Sequence, residues 1–567
     1  MNFTNFKNLM DSKAFNRFFY IALGVIVVLY WIGMHLPLMD IDAADYACIS
    51  KQMFHNHSYL QVYNNGSDYL DKPPLLFWLA CISFKIFGVS DWAFRLPSAL
   101  CLAFGIYSVY RYTKMFYSEQ TAKIAVLITA SCVASYLMTT DVRTDTMLTS
   151  WVMFSLWQLA EFNRSLKLKH ILLGAVGMGL AMLAKGPIGL IIPVTAFVAE
   201  FVYKRQWKSF FRWQYVIALL VIAIILLPMS YGLYEQFDLH PEKVLYDKKG
   251  TSGLRFFYWT QSFGRITGES NWNNNPDPFF LFHSFLWSFA PWSILFIPAL
   301  IAEVRDKIKN FKSGNTPEVM TVGAFILIFI FLARSKYQLP HYTFPLHLLA
   351  AIITAKYLNA QLESPTKSKL FAVFYNIQKV FMVLVYVLLF LIIFYIFPAP
   401  IFLSVLIILS FAYFIYGLFF LKIGTIPKTL FITLISFATL VFIMDIHFYP
   451  SVMKFQTGSV LGKKLNEIAA PDSKLFIYND FSSYTMEFYS NMPIVDYTDE
   501  QKLKANLVPG KTFVLADTGD VKKIQNINSE IKVVELYKDH APAQLSWKFL
   551  NPKTRDLAFK EKVLLKY

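Results

Sequence analysis

Charged side chains are scarce in this sequence. Asp, Glu, Lys and Arg make up 16% of its 567 residues, whereas a soluble globular protein carries about 25%. Hydrophobic residues make up 56%, and the mean hydropathy is +0.43. This composition excludes a disordered chain, a fibrous repeat and almost any ordinary cytosolic enzyme. It predicts a protein that crosses a membrane many times.

Cysteine is also scarce, and the cysteines do not have the spacing of a metal site. They are Cys48, Cys81, Cys101 and Cys132, three of which lie in or beside apolar segments. This pattern offers neither a disulfide framework nor a CxxC metal site. The sequence also lacks the glycine-rich fingerprints by which soluble domains bind nucleotides.

Apolar runs recur along residues 1–447, and they predict membrane spans. We predict thirteen of them: 18–38, 96–112, 122–138, 146–162, 170–184, 187–203, 213–231, 279–301, 319–333, 342–357, 380–397, 401–420 and 429–446. Several are shorter than the ~20 residues that a perpendicular helix needs, so eleven to thirteen spans fit the pattern. The first run is too long for the apolar core of a secretory signal and lacks a small-residue cleavage site. We therefore expect it to stay as a span.

Positive charge is distributed unevenly between the two sides of these spans. With the N-terminus in the cytoplasm, each of the seven inside segments is rich in Lys or Arg. The first outside loop instead carries six aspartates against three lysines. This is the bias that membrane insertion produces. The net charge of +16 therefore reflects topology, and a nucleic-acid partner is not expected.

Residues 448–567 differ in character from the rest of the chain. Strand-like runs at 474–478, 493–497, 512–516 and 531–537 are separated by helical or turn stretches such as 458–468 and 519–527. An odd number of spans places this part outside the cell membrane. We therefore predict a transmembrane domain, residues 1–447, and a small periplasmic α/β domain, residues 448–567.

Polar motifs concentrate at the outer ends of the spans. Two long loops, 39–95 and 232–278, lie on this side, and long loops between closely connected spans are commonly functional. Five clusters also fall on this side: Asp40–Tyr46, Asp71–Pro74, Thr140–Thr146, Lys185–Pro187 and Arg334–Tyr342. Acids beside cations at the bilayer surface suit a substrate with a phosphate group and an apolar tail.

Each cluster also has a simpler interpretation. Asp42 and Asp71 stand where they could cap the helices that follow them. Lys185 could extend its amine to the headgroups from within the membrane, and Thr140–Thr146 and Arg334–Tyr342 could be a solvated turn and an interface anchor. Capping does not account for Lys72, because the helix dipole disfavours a cation at a helix start and a bound anion would compensate.

Several motifs, in this order along the chain, resemble a known family. They are Asp42–Met53, Asp71–Trp78, Phe87–Val89, Arg95–Ser98, Lys185–Pro187 and Leu339–Tyr342. Together they resemble the bacterial aminoarabinose transferase-like and protein O-mannosyltransferase-like membrane glycosyltransferases of the PMT superfamily. Three positions depart from the family pattern: Ala43 replaces a Glu, Asp45 replaces an Arg and Gln338 replaces a Lys.

The resemblance implies the GT-C fold in a bacterial inner membrane, with about 13 transmembrane helices and a small C-terminal α/β periplasmic domain. It implies a glycosyltransferase that takes a sugar from polyprenyl (undecaprenyl) phosphate. The acceptor would be lipid A or another cell-envelope glycan. The outer face of such a membrane has no pool of nucleotide sugars, so a lipid-linked donor is also the physically reasonable one.

The resemblance assigns roles to two acids, and charge suggests the others. It implies that Asp42 is catalytic and that Asp145 is the second acid. A single in-line displacement by the acceptor would invert the anomeric carbon. We expect the donor phosphate to contact Lys72, Arg143, Lys336 and Tyr342, supported by Asp71, Tyr46, Lys185 and His341. No cofactor is certain, and a divalent metal remains an open alternative.

Other functions remain open at this stage. A transporter or flippase of lipid-linked sugars would be expected to show paired repeats and charges near the membrane midplane, whereas the ionisable residues here gather at one face. A protein O-glycosyltransferase would use the same donor with a different acceptor. A purely structural membrane protein does not explain five polar clusters on one side.

Overall fold

The apolar runs form helices in the computed structural model, which describes residues 13–267, 269, 273–364 and 366–567. Residues 1–12, which we predict to be cytoplasmic, and part of the loop 232–278 lie outside the described residues. The helices that precede the C-terminal sheet are α1 Lys13–Gly33, α2 Asp42–Asn56, α3 Leu75–Phe87, α4 Asp91–Phe116, α5 Glu119–Ala130, α6 Val133–Thr140, α7 Thr144–Ser165, α8 Leu168–Lys185, α9 Ile188–Tyr203, α10 Gln214–Leu233, α11 Gly253–Arg255, α12 Gly264–Thr267, α13 Phe280–Ser288, α14 Ser293–Asn310, α15 Met320–Ala333, α16 Phe344–Glu363, α17 Lys369–Leu391, α18 Ile401–Ile415, α19 Thr425–Ile443 and α20 Tyr449–Met453.

Each of the thirteen predicted spans corresponds to a helix or to a bent pair of helices. Within the described residues, seven helices are long and apolar enough to cross a membrane, and two bent pairs, α5 with α6 and α13 with α14, raise the number to nine. Helices α9 and α15 are apolar but have only 16 and 14 residues. The predicted count of thirteen is therefore not confirmed, although the protein is clearly a multi-pass helical membrane protein.

The two long loops are not extended coil but carry small folded elements. The first holds α2, α3 and a short hairpin of β1 (Tyr63–Asn64) and β2 (Ser67–Asp68). The second holds α11, α12 and the hairpin of β3 (Val244–Leu245) and β4 (Lys248–Lys249). At 13 residues, α3 is too short to span a membrane, as expected for a helix that lies in the interface.

The capping interpretation of Asp42 and Asp71 is wrong. The residue before α2 is Ile41 and the residue before α3 is Pro74, and neither helix start has a side-chain capping bond. Asp42 is instead the first residue within α2, and Asp71 precedes α3 by several residues. Both carboxylates are therefore available to other partners.

A five-stranded sheet with short helices follows the last span, which continues to Met453. The strands are β5 Lys474–Tyr478, β6 Ile494–Tyr497, β7 Thr512–Asp517, β8 Lys532–Asp539 and β9 Lys560–Lys566, and the helices are α21 Thr457–Ile468, α22 Tyr484–Tyr489, α23 Glu500–Asn506, α24 Val521–Ile527 and α25 Trp547–Leu550. The order across the sheet is β6-β5-β7-β9-β8. Strands β5, β6 and β7 are parallel, whereas β9 runs antiparallel between β7 and β8. The four predicted strand-like runs correspond to β5, β6, β7 and β8, whereas β9 was not predicted.

The sheet domain contacts the first outer loop directly. The Asp40 carboxylate accepts hydrogen bonds from the backbone N–H and the hydroxyl of Thr485, at 3.1 and 2.7 Å. The Lys51 ammonium donates to the carbonyls of Phe488 and Ser490, both at 2.8 Å. Helix α22 is thereby held against α2, the helix that begins with Asp42.

A single buried guanidinium, that of Arg95 in α4, connects two segments near the outer ends of the spans. It donates to the carbonyl of Thr140, at 2.8 Å, where α6 ends. It also donates to the carbonyls of Met34, Leu36 and Pro37, just after α1. Met34 and Leu36 are buried and lie beyond the end of α1, so without Arg95 their carbonyls would be buried and unsatisfied.

We predict that Arg95→Lys lowers the melting temperature of the purified protein. A lysine ammonium cannot reach carbonyls in two separate segments, and each carbonyl left without a donor costs about 1–3 kcal/mol. Differential scanning fluorimetry in detergent would measure the shift. Arg111→Lys, on the same helix, is the control, because Arg111 donates to the exposed Tyr107 hydroxyl and lies over the Trp157 ring, contacts that a lysine ammonium can also make. Equal melting temperatures for the two variants would contradict this role for Arg95.

Candidate functional site

Most of the predicted site residues line one cavity at the ends of the spans from which the two long loops emerge. The cavity has a volume of about 240 Å³. Its polar lining comes from the predicted residues Asp42, Tyr46, Asp71, Lys72, Asp145, Lys185, His341 and Tyr342, together with Asp45, Gln261, Ser262, Ser335 and Tyr337. Apolar side chains of α9 and α15, such as Ile188, Ile191 and Phe331, form another part of the wall. The cavity thus combines a charged lining with an apolar one.

Asp42 is held by an arginine from a distant part of the chain. Its carboxylate forms an ion pair with Arg143, and 42% of the Asp42 side chain remains exposed. Arg143 also pairs with Asp141 at 3.0 Å, and its guanidinium donates to His341 Nδ1 at 3.3 Å. The arginine therefore orients the Asp42 carboxylate while leaving part of it accessible from the cavity.

Asp145 is buried and paired with Lys185. Only 2% of its side chain is exposed, and Lys185 Nζ lies 2.5 Å from its carboxylate. The other carboxylate oxygen lies 3.9 Å from His341 Nε2. Lys185 Nζ also sits 4.5 Å from the centre of the Tyr342 ring, close enough for a cation–π interaction. The interpretation of Lys185 as a cation that only reaches toward the headgroups is therefore wrong, since it neutralises a buried acid.

Asp71 and Lys72 form an ion pair at the cavity wall. The Asp71 carboxylate also accepts a hydrogen bond from Gln261 Nε2, at 2.9 Å. Gln261 belongs to the second long loop, so this contact joins the two loops beside the cavity. Nothing in the local sequence around Gln261 indicates this role.

Asp45 is a cavity residue that the sequence analysis did not select. It accepts a hydrogen bond from Asn64 Nδ2 at 2.7 Å. Burial raises the pKa of Asp45 to about 7; the negative charges of Asp42 and Asp71 add to this effect, whereas the Asn64 bond and Lys72 oppose it. Because Asp45 follows Asp42 by three residues on one helix, helical spacing alone could have placed it beside Asp42.

Lys336 is not brought to the cavity. Its side chain is exposed and is absent from the cavity lining, which its neighbours Ser335 and Tyr337 join instead. In the part of the chain that the structure describes, no group of three or more His, Cys, Asp or Glu side chains is placed to hold a metal ion.

Comparison with known proteins gives a consistent set of similarities. The family model described as dolichyl-phosphate-mannose-protein mannosyltransferase matches residues 71–231. An uncharacterised protein of Aquifex aeolicus is 25% identical over 505 residues, covering 87% of this chain and 91% of that protein. The undecaprenyl phosphate-alpha-4-amino-4-deoxy-L-arabinose arabinosyl transferase 2 of Proteus mirabilis is 24% identical over 322 residues. That match covers 56% of this chain and 54% of the Proteus protein, so it spans only about half of the relative.

Two solved structures resemble the whole chain. The apo crystal structure of ArnT from Cupriavidus metallidurans superposes with a TM-score of 0.71 and 16% identity, covering 97% of this chain and 98% of that one. The structure of the same protein bound to undecaprenyl phosphate gives a TM-score of 0.69 and 17% identity, covering 96% and 97%. This likeness confirms the predicted fold class, a helical membrane protein with a small C-terminal α/β domain.

The raised pKa of Asp45 predicts a pH-dependent stability. The ordinary pKa of an aspartate is 3.8, so between about pH 4 and pH 7 the unfolded chain has lost this proton while the folded chain keeps it. The folded state therefore loses stability as the pH rises through this window. Asp45→Asn removes the effect and should raise the melting temperature more at pH 8 than at pH 5.

A control variant separates this effect from general pH sensitivity. Asp472 lies in the sheet domain with 87% of its side chain exposed, and Asp472→Asn should shift the melting temperature equally at both pH values. The assignment fails if Asp45→Asn gives the same shift at pH 5 and pH 8.

Proposed function

We propose that this chain, a PMT-like membrane glycosyltransferase of the GT-C fold, transfers a sugar from undecaprenyl phosphate or a similar polyprenyl phosphate. The acceptor would be lipid A or another glycan at the outer face of the bacterial inner membrane. The observation that carries the proposal is the cavity, which gathers acids and cations from distant segments beside an apolar wall. A sugar on polyprenyl phosphate suits this lining, because its phosphate is an anion that the cations can bind and its polyprenyl chain is apolar. Its anomeric carbon is the atom that reacts.

The charge bias of the loops supports an orientation for this reaction. With residues 1–12 in the cytoplasm, the cavity and the sheet domain would face the periplasm. The Proteus mirabilis relative is named as a transferase for a sugar carried on undecaprenyl phosphate. The proposal extends that donor class to this chain and leaves open which sugar is carried.

Asp42 is the better candidate for the general base. Asp145 is buried and occupied by Lys185, whereas much of the Asp42 carboxylate is exposed. In the proposed step an acceptor oxygen attacks the anomeric carbon, and the bond from that carbon to the phosphate oxygen breaks. The acceptor proton passes to Asp42, and the electron pair of the broken bond stays on the polyprenyl phosphate. One in-line displacement of this kind inverts the anomeric carbon.

The remaining charged residues would stabilise the leaving phosphate or hold the others in place. Lys72 and Lys185 line the cavity as cations, and Tyr342 lies against Lys185. Fixed cations at a site where negative charge develops are a large source of catalysis. Arg143 would position Asp42 through their ion pair. Asp145 would position Lys185 and His341, which lie against its two carboxylate oxygens. We leave Lys336 out of this group because its side chain is exposed and does not line the cavity.

We predict that Asp42→Asn lowers sugar transfer by ~10²–10⁴-fold, the usual contribution of a positioned base. Asn keeps the size of the side chain and an oxygen that can accept a hydrogen bond from Arg143. Binding of undecaprenyl phosphate to the purified variant should therefore stay close to that of the wild type. Mass spectrometry of lipid A and surface glycans from cells with each variant would report the transfer, and it would identify the acceptor.

Asp40→Asn is the matched control for this experiment. Asp40 lies two residues away, does not line this cavity, and accepts two hydrogen bonds from Thr485, one on each carboxylate oxygen. The Asn oxygen can accept from the Thr485 N–H, and the Asn amide can donate to the Thr485 hydroxyl. We expect it to transfer sugar at nearly the wild-type rate. If Asp42→Asn also does so, Asp42 is not the base.

We predict that Lys72→Ala weakens the binding of undecaprenyl phosphate by roughly 10–100-fold, as expected for a charge-assisted hydrogen bond of about 1.5–3 kcal/mol. Lys336→Ala removes the same charge outside the cavity and should leave the affinity unchanged. Titration of each purified variant with the lipid phosphate would measure this difference. Equal affinities for Lys72→Ala and Lys336→Ala would contradict the phosphate assignment.

A further inference from the structure

A stretch of the sheet domain exposes large apolar side chains at the end of a membrane span. This stretch, residues 541–559, follows β8 and includes α25. Within it, 62% of Trp547 and 71% of Leu557 are exposed. Exposed apolar groups of this size favour transfer out of water by about 25 cal/mol per Å² of apolar surface, so they indicate a surface that something else covers.

The position of this stretch relative to the membrane is set by direct contacts. Helix α17 and the turn that follows it form one span, Lys369–Ile396. At its end, the Tyr395 hydroxyl donates to Asn551 Oδ1 at 2.9 Å, and Arg555 Nη2 donates to the carbonyl of Ile396 at 2.5 Å. The rings of Tyr395 and Trp547 are nearly parallel, with centroids 6.4 Å apart. Trp547 therefore lies at the depth where the span leaves the bilayer.

Buried aromatic rings hold residues 541–559 against the transmembrane domain. Phe549 is fully buried, with its ring 6.3 Å from that of Phe397, and Arg555 lies 4.1 Å from the centre of the Phe397 ring. On the other side, the His540 ring stacks on Phe549 at 4.0 Å. The inward-facing side chains thus fix the stretch on the transmembrane domain and turn Trp547 outward.

The outward side also carries positive charge. Lys548, Lys553 and Lys560 are exposed in or next to the stretch. Tryptophan is enriched where a protein meets the membrane–water boundary, and lysines near a bilayer surface attract anionic headgroups. Exposed Trp and Leu side chains between lysines therefore match an anionic phospholipid surface in both chemistry and depth.

We propose that residues 541–559 rest on the bilayer, with Trp547 and Leu557 entering the headgroup region and Lys548 and Lys553 contacting anionic phospholipid. The sheet domain would then be held at the membrane by lipid as well as by protein contacts. This surface is separate from the cavity, and its occupancy does not depend on which sugar is transferred.

Lipid quenching of a fluorescent label tests this contact in the intact protein. The native cysteines are all buried, so a cysteine introduced by Trp547→Cys or Leu557→Cys would be the accessible labelling site. With a bimane label in vesicles of phosphatidylethanolamine and phosphatidylglycerol, shallow doxyl lipids should quench the fluorescence at both positions. Two positions are used so that the result does not depend on one variant folding.

Val508→Cys provides the matched control. Val508 is 48% exposed and precedes β7. It lies at the end of the sheet where Phe513 pairs with Lys566, opposite the end where Asp539 pairs with Lys560 beside the stretch. A label at Val508 should be quenched several-fold less than a label at Trp547.

The dependence of quenching on lysine charge tests whether the lipid in contact is anionic. Adding Lys548→Glu and Lys553→Glu to the labelled Trp547→Cys protein should reduce quenching in phosphatidylglycerol vesicles and change it little in phosphatidylcholine vesicles. Equal quenching at Trp547, Leu557 and Val508 would overturn the proposal. Protection of the Trp547 label that appears only as the protein oligomerises would also overturn it, in favour of a second copy as the partner.

Discussion

The architecture depends on keeping charged and polar groups satisfied where water is scarce. Arg95 shows this most directly, because its buried guanidinium collects carbonyls from the end of α1 and the end of α6. The chain leaves the first of these segments toward Asp42 and the second toward Arg143. One side chain thus sets the relative position of two segments whose residues Asp42 and Arg143 form an ion pair beside the cavity.

The same constraint accounts for the pairing inside the cavity. Asp145 is buried and is neutralised by Lys185, and Asp71 pairs with Lys72. Asp45 accepts a hydrogen bond from the Asn64 amide instead, and burial raises its pKa to about 7. A phosphate that entered such a cavity would compete with these carboxylates for the cations.

The sheet domain is bonded to the loops and spans of the transmembrane part rather than standing apart from them. Asp40 and Lys51 bond to α22 on one side of the domain, and Arg555 bonds to the end of a membrane span on another. Because Asp40 lies two residues before Asp42, the first of these contacts also restrains the start of α2. The fold therefore couples the position of the sheet domain to the geometry of the candidate site.

The sequence by itself determined the membrane class, the helical runs and most of the site, because apolar run length and charge sign are local properties. It also placed β5 to β8, whose apolar patterns are visible in short windows. Only the tertiary structure decided what depends on distant partners. Asp42 does not cap α2, because it is the first residue within the helix, and its carboxylate pairs instead with Arg143, about a hundred residues away. Lys336 lies in the predicted cluster Arg334–Tyr342, but its side chain does not line the cavity, whereas that of the next residue, Tyr337, does. Strand β9 was missed because its lysine-rich sequence becomes central only when β7 and β8 pair with it from both sides.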